Sequence, residues 1–257
     1  MRIKLRTYVP LLLLLCPLGA LADPELDLRH QWRQSLQSDA RWQPYFARSA
    51  TLQAQDEQQL AAELAQLKQS AATLPVKHAK FGFEPKPAPS FWQSAAAQQQ
   101  AQVILSFQTP SGGWSKRTDM ATQQRQLGQQ FGVEKNYIPT FDNGATSTQL
   151  RWLAAYYPQA EASIKPAVLQ AISRGVAFVL SAQYPNGGFA QTYPLRGGYH
   201  DAITINDGVM ETLLRLLQDV ATQPQFAMLP VALREQAAQQ FQLGIQLLLR
   251  SQLQLQG

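Results

Sequence analysis

The chain has 257 residues, 45% of them hydrophobic, and a formal net charge of +5. This length suits one domain or one and a half, and the apolar content is ample for a buried core. Its single cysteine, Cys16, lies in an N-terminal segment that we expect to be removed, so disulfides and thiolate chemistry are excluded for the mature protein.

The N-terminus has the order of a secretory signal peptide. Three basic residues precede an apolar run over residues 9–18, and Ala20 and Ala22 supply the small residues of a cleavage site. The run is too short for a membrane-spanning helix. We therefore expect residues 1–22 to be a signal peptide and the protein to be secreted or periplasmic; an uncleaved anchor is the alternative.

Removal of the signal peptide also lowers the net charge. Residues 1–22 carry three basic residues and no acidic ones, so the formal charge falls from +5 to +2. This small excess argues against a nucleic-acid partner, and any polyanion must be met by locally placed charge. We expect a monomer that binds neither nucleic acid nor a membrane.

The mature chain begins with a segment that we interpret as an N-terminal helical extension, residues 23–74. Four leucines, at 52, 60, 64 and 67, recur at helical spacing and predict an amphipathic helix over 51–73 that ends at Leu74-Pro75. A low-complexity tether is the alternative. Residues 75–89 are rich in Lys and Pro and predict an extended linker.

Residues 90–257 contain two internal repeats. Five helices are predicted, over 91–107, 145–156, 166–182, 207–220 and 231–252. A turn motif, Leu-Ser-x-Gln-x-Pro-x-Gly-Gly-aromatic, occurs at 105–114 and 180–189, and the helix start at 142–153 matches 206–217. The repeats predict an all-α fold, an incomplete (α/α)3 toroid of helix-turn-helix units. A third turn begins at Leu249, so we expect the chain to be truncated within its third repeat.

Two polar doublets recur at equivalent positions of the repeats, Asp142-Asn143 and Asn206-Asp207. Each stands at a helix start, where Asp and Asn are favoured caps, and capping is the alternative interpretation. In an α/α ring both doublets would face one central cleft. Converging carboxylate and amide oxygens suit calcium, and Asp201 adds a carboxylate close by in sequence.

Basic residues near the turns are candidates for substrate binding. Arg196 lies on irregular backbone between Pro194 and Gly197, which suits bidentate recognition of a carboxylate or phosphate. Lys116 and Lys135 flank the first turn and loop; for these two, solvated surface charge is the alternative. With no cysteine in the mature chain and no paired histidine spacing, no zinc site is expected.

Two segments, residues 140–151 and 182–207, resemble polysaccharide lyase family 10, the helical-toroid pectate lyases. The resemblance extends over residues 80–257. It implies calcium-dependent β-elimination of polygalacturonate. It also implies that Asp142 and Asp207 are catalytic and, together with Asp201, bind calcium, that Asn143 belongs to the substrate site beside Asp142, and that Arg196 contacts a uronate carboxylate.

The sequence also departs from the family. The resemblance implies that the base is an arginine after the third turn, which would lie beyond Gly257, so we expect little or no lyase activity from the chain as given. A non-catalytic pectate-binding protein or a gene fragment is the alternative. A terpene-cyclase-like α/α barrel would share the Gln108-to-Trp114 turn, but the chain has no Asp-x-Asp-Asp motif.

Overall fold

The structure, a computed structural model, describes residues 35–36, 38–203, 205 and 208–252. The predicted signal peptide, the Asn206-Asp207 doublet and residues 253–257 lie outside the described residues. Six long helices are present in the described part: α1 Gln43–Leu67, α2 Ala95–Ser106, α3 Ser147–Tyr156, α4 Lys165–Ala182, α5 Val209–Thr222 and α6 Val231–Arg250. Apart from isolated β-bridges, no strand occurs in these ranges, and the prediction of an all-α fold is confirmed.

The five helices of the repeat region lie within a few residues of their predicted bounds. The largest difference is at α2, which begins at Ala95 because the Ser94 side chain caps it and accepts a hydrogen bond from the Ala97 amide at 3.2 Å. The residues before the cap, Pro89–Gln93, form a short 3-10 turn instead. No helix within the described ranges is both long and apolar enough to cross a membrane.

Helix α1 begins and ends earlier than the leucine spacing predicts. It ends at Leu67 because Lys68 adopts a left-handed backbone conformation with φ of 57°. The amides of Lys68 and Gln69 then donate to carbonyls of the last helical turn, at 3.1 and 2.9 Å. The helix is docked on the repeats: Tyr45 is buried, and its hydroxyl donates to the Ala182 carbonyl at the end of α4 at 3.1 Å.

The segment after α1, predicted as a linker, is extended and lies against the loop that follows the first turn. An isolated antiparallel bridge joins Lys77 to Thr118. The Met120 amide donates to the Phe81 carbonyl at 2.8 Å, and the Phe81 side chain is buried. Residues 75–89 thus pack on the repeat region, while the division into an extension, a linker and a lyase domain stays a prediction.

In each of the two repeated turns, a glutamine side chain at the equivalent position holds the turn in place. Gln108 donates from Nε2 to the carbonyls of Gly112 and Ala171, at 2.8 and 2.9 Å. Gln183 makes the equivalent pair of bonds, to the Gly187 carbonyl and to a carbonyl of α6, both at 2.9 Å. Each turn is thereby fixed to the second helix of its own repeat.

The helix pairs also repeat. Gly175 lets α4 approach α3, because a Cβ there would lie 2.6 Å from Leu150 Cδ2. Gly244 does the same between α6 and α5, where the Leu214 side chain would meet the added Cβ. Leu150 and Leu214 occupy the same position in the two repeats, so α3–α4 and α5–α6 are equivalent hairpins, the α/α arrangement that the repeats predict.

Candidate functional site

A buried ion pair joins the first turn to the start of the next helical unit. The Lys116 ammonium lies 2.6 Å from Asp142 Oδ2, and the two residues are only 5% and 6% exposed. Glu134 Oε2 lies 3.5 Å from the same ammonium, and the centroid of the Tyr137 ring lies 3.3 Å from it. Because a buried charge is costly unless it is paired, these four residues, called here the Lys116 centre, hold each other in place.

Asp142 does not cap a helix. Helix α3 begins at Ser147, and its N-cap is Thr146, in an unusual conformation with φ of 64°. Thr146 Oγ1 accepts from the Trp114 amide at 3.0 Å and donates to the Thr140 carbonyl at 2.9 Å. The first turn therefore fixes the loop that carries Asp142, and the carboxylate is left for Lys116. The capping alternative is wrong for this residue.

Asn143 and Lys135 are both exposed. Asn143 adopts a left-handed conformation, with φ of 53°, that turns the chain directly after Asp142. Lys135 lies in the short 3-10 turn Lys135–Tyr137, which also carries the ring of the Lys116 centre. Their roles in substrate binding stay predictions.

A histidine on the loop that follows the second turn contacts the Lys116 centre. The Tyr137 hydroxyl lies 2.9 Å from His200 Nε2, and His200 Nδ1 lies 2.6 Å from Gln191 Oε1. Because the amide oxygen of Gln191 only accepts, Nδ1 carries the proton and Nε2 accepts from Tyr137. Burial, with a contribution from the Lys116 charge, lowers the pKa of His200, and burial together with the Tyr199 hydroxyl raises the pKa of Tyr137. Both groups are therefore neutral at neutral pH.

Asp201 and Arg196 lie together on the loop that follows the second turn. Asp201 accepts hydrogen bonds from the amides of Arg196 and Gly197, at 2.9 and 2.8 Å, one on each carboxylate oxygen. The Arg196 guanidinium donates from Nη2 to the Ile138 carbonyl, while its Nε is buried without a partner in the described structure. Burial lowers the pKa of Arg196, with the opposite influence from nearby carboxylates.

The predicted residues are only partly brought together. Lys116, Asp142 and Asn143 share one location, Asp201 and Arg196 share the neighbouring loop, and Asp207 lies outside the described residues. Over the described ranges, no group of three or more His, Cys, Asp or Glu side chains is placed to hold a metal ion.

Three residues of the site were missed by sequence reasoning: Glu134, Tyr137 and His200. One signal was available in the repeats, because Gln191 occupies the position that Lys116 has in the first repeat. His200 is also the one histidine within the repeats. The contact between Tyr137 and His200 joins two loops far apart in sequence, and no local pattern marks it.

The repeat region contains two α/α hairpins, each of which follows a Gly-Gly turn, and the Lys116 centre lies after the first turn. The sequence profile of the family described as pectic acid lyase matches residues 108–257. The match covers more than half of the chain and includes both turns, so the chain belongs to the pectic acid lyase family. The predicted resemblance to the pectate lyases is confirmed by this match.

Similar solved structures include the family 10 polysaccharide lyase from Cellvibrio cellulosa, which is 28% identical with a TM-score of 0.48 over 65% of this chain and 50% of that one. A mutant of that lyase in complex with trigalacturonic acid has the same identity and TM-score, over 60% and 47% of the two chains. The chain thus spans about half the length of these structures. No curated protein matches it.

Proposed function

We propose that this protein cleaves polygalacturonate by calcium-assisted β-elimination in the cleft beside Asp142. The family match over residues 108–257 is the observation that carries the proposal, because it includes the whole Lys116 centre and the Arg196 loop. Export through the predicted signal peptide would bring the enzyme, as a monomer, to a polysaccharide outside the cytoplasm.

The chemistry of elimination explains why charged residues are needed. The C5–H bond breaks, its proton passes to a base and its electron pair forms the C4–C5 double bond. The C4–O bond breaks with its electron pair on the oxygen of the leaving sugar, which takes up a proton from solvent. Negative charge develops on the uronate carboxylate next to C5, so fixed positive charge there lowers the barrier. Arg196 is proposed to bind a uronate carboxylate from the side of the second turn.

Lys116 is proposed to support this cleft through its contact with Asp142. Its ammonium is already engaged with Asp142 at 2.6 Å, which fixes the carboxylate and offsets part of its negative charge. An acidic polysaccharide is repelled less by such a neutralised carboxylate than by an isolated one. The proposed contribution of Lys116 is therefore to orient Asp142 and to make the cleft acceptable to a polyanion.

Calcium is proposed to be held by Asp142, Asp201 and Asp207, with Asn143 beside them as a substrate-binding residue. Calcium takes six to eight oxygen ligands, and the described residues supply only part of such a set. One oxygen of Asp142 is bonded to Lys116, and both oxygens of Asp201 accept backbone amides. Bound calcium would supply positive charge to the uronate carboxylate. Arg196 is not proposed as the base, since an arginine stays protonated.

The test combines turnover and binding on the purified chain. Ultraviolet absorbance of unsaturated uronate is followed on polygalacturonate with calcium and with a chelator, and binding of trigalacturonate is measured by calorimetry. We expect calcium-dependent binding that is lost in Asp142→Asn, with little or no product, as the sequence predicts. Product that rises with calcium would overturn the expected low activity and support the lyase directly, and the absence of both binding and product would refute the proposal.

A further inference from the structure

A cleft of about 360 Å³ opens between residues 79–85 and the loop that carries Asp142. It is called here the Lys80 cleft, and its polar lining consists of Lys80, Arg117, Asn143 and Thr148. The volume lies in the range of small-ligand sites, about 300–1,000 Å³. Because Asn143 directly follows Asp142, the cleft adjoins the proposed reaction site.

Hydrogen bonds hold the outer wall of the Lys80 cleft in position. The His78 amide donates to the Arg117 carbonyl at 2.9 Å, which places the start of the wall against the loop after the first turn. His78 Nδ1 in turn accepts from the amides of Lys80 and Gly82, both at 3.0 Å. The backbone that carries Lys80 is thus pinned beside Arg117, although the two residues are far apart in sequence.

The charge of the cleft is positive. Lys80 and Arg117 are the charged side chains that line it. Arg117 Nη1 lies 3.2 Å from Glu134 Oε1, with 45% of the arginine side chain exposed. Glu134 also faces the Lys116 ammonium at 3.5 Å. The cation of Arg117 is therefore tied to the Lys116 centre, whereas Lys80 is exposed and makes no ion pair with any described residue.

We propose that the Lys80 cleft binds the uronate residue next to the one held at Asp142, and that Lys80 and Arg117 select a free carboxylate over a methyl ester at that position. Two cations suit one carboxylate, because charge-assisted hydrogen bonds are lost when the group is esterified. Asn143 and Thr148 supply polar groups for the sugar hydroxyls. This inference rests on the proposed function, since it assumes an acidic polysaccharide in the adjoining cleft.

Calorimetry with trigalacturonate and with its methyl ester tests the inference. The variants are Lys80→Gln, Arg117→Gln and, as the matched control, Lys86→Gln, which removes the same charge from the same segment outside the cleft lining. For each cleft variant we expect affinity for the free acid to fall by about three- to tenfold. Affinity for the methyl ester should not change, and the control should bind both ligands as the unaltered protein does.

The outcomes separate this inference from the proposed function. If the unaltered protein does not bind trigalacturonate, the proposed function fails. If it binds and Lys80→Gln binds equally well, the inference is overturned and the proposed function stands. Equal losses for the acid and the ester would also overturn it, since they indicate a structural effect. Arg117→Gln also breaks the contact between Arg117 and Glu134, so its effect on binding has two causes. The result for Lys80→Gln therefore decides whether the inference stands.

Discussion

The first turn, residues 108–114, and the second turn, residues 183–189, are folded by equivalent hydrogen bonds. Thr109 donates from its amide to the Gly113 carbonyl at 2.9 Å, and Tyr184 donates in the same way to Gly188 at 2.8 Å. Two residues beyond each turn the side chains differ in charge, with Lys116 in the first repeat and Gln191 in the second. A repeated backbone can therefore carry different chemistry at one equivalent position.

The difference between the repeats extends to the partner of each residue. In the first repeat, Lys116 faces Asp142, and both are charged. In the second, the equivalent positions are Gln191 and Asn206, which are neutral amides. Gln191 instead binds His200, which meets the Lys116 centre through Tyr137. The charge is thus concentrated at one turn, and the other turn supports it with neutral hydrogen bonds.

The largest expected effect comes from giving the first turn the residue of the second. Lys116→Gln leaves Asp142 buried without its cation, so the free energy of unfolding should fall by about 3–5 kcal/mol. The double variant Lys116→Gln with Asp142→Asn reproduces the neutral pair of the second repeat and should recover most of that loss. Denaturant unfolding of the unaltered protein, the single variant and the double variant measures both effects. A double variant as unstable as the single one would contradict the ion-pair account.

A smaller effect tests the shared backbone. Gly112 and Gly187 have φ of 116° and 98°, where a side chain is strained. A Cβ would also lie 2.8 Å from the Arg174 carbonyl oxygen in the first turn, and closer still to the Leu243 carbonyl oxygen in the second. Alanine at either position should cost about 2–4 kcal/mol, more at Gly187.

Gly198→Ala is the control for these glycine variants, because nothing lies within 4 Å of its added Cβ. Its stability should stay within about 0.5 kcal/mol of that of the unaltered protein. Thermal unfolding of the three alanine variants gives the comparison. An equal, small effect at all three positions would show that the turns tolerate side chains and that their glycines are not structural.

The smallest effect concerns how each turn is anchored. In the first, the Asp56 carboxylate of α1 accepts from the Ser111 amide and hydroxyl, at 2.7 and 2.8 Å. In the second turn, Asn186 stands at the position that Ser111 has in the first, and its own side chain accepts from the Gly188 amide at 3.1 Å. Of the two anchoring side chains, only the Asp56 carboxylate is titratable.

Burial raises the pKa of Asp56 from 3.8 to about 6. The folded protein therefore holds this proton to higher pH than the unfolded chain does. Stability from this group is full below about pH 4 and is lost as the pH rises through about 6, by about 2–3 kcal/mol. Asp56→Asn should flatten the dependence of unfolding free energy on pH in this window. An unchanged slope would contradict the assignment.

The repeat region was predictable because its signals are local. Apolar spacing and prolines mark α3 to α6, and the shared Gln-x-Pro-x-Gly-Gly motif marks both turns. The recurrence of the polar doublet indicated Asp142. The docking of α1 was not predictable, since the Asp56 carboxylate reaches Ser111, and Glu63 pairs with Arg125, across chain separations that helical periodicity does not report.

The site itself depends on loops that meet only in the folded chain. Sequence reasoning selected Lys116 and Asp142 separately, but the buried pair between them follows from the Thr146 contact with the first turn. Asp201 was predicted as a metal ligand from its carboxylate alone. Its two oxygens accept the Arg196 and Gly197 amides because the loop folds around it, which no spacing rule contains.

Calcium-dependent binding of trigalacturonate to the double variant Lys116→Gln with Asp142→Asn is the most direct test that the charged first turn forms the uronate site. This variant carries the neutral amide pair of the second repeat. It therefore removes the charges of Lys116 and Asp142 without leaving either one buried and unpaired. The unaltered protein should bind in the presence of calcium, and the folded double variant should bind at least about tenfold more weakly. Equal affinity of the two proteins would contradict this role of the first turn.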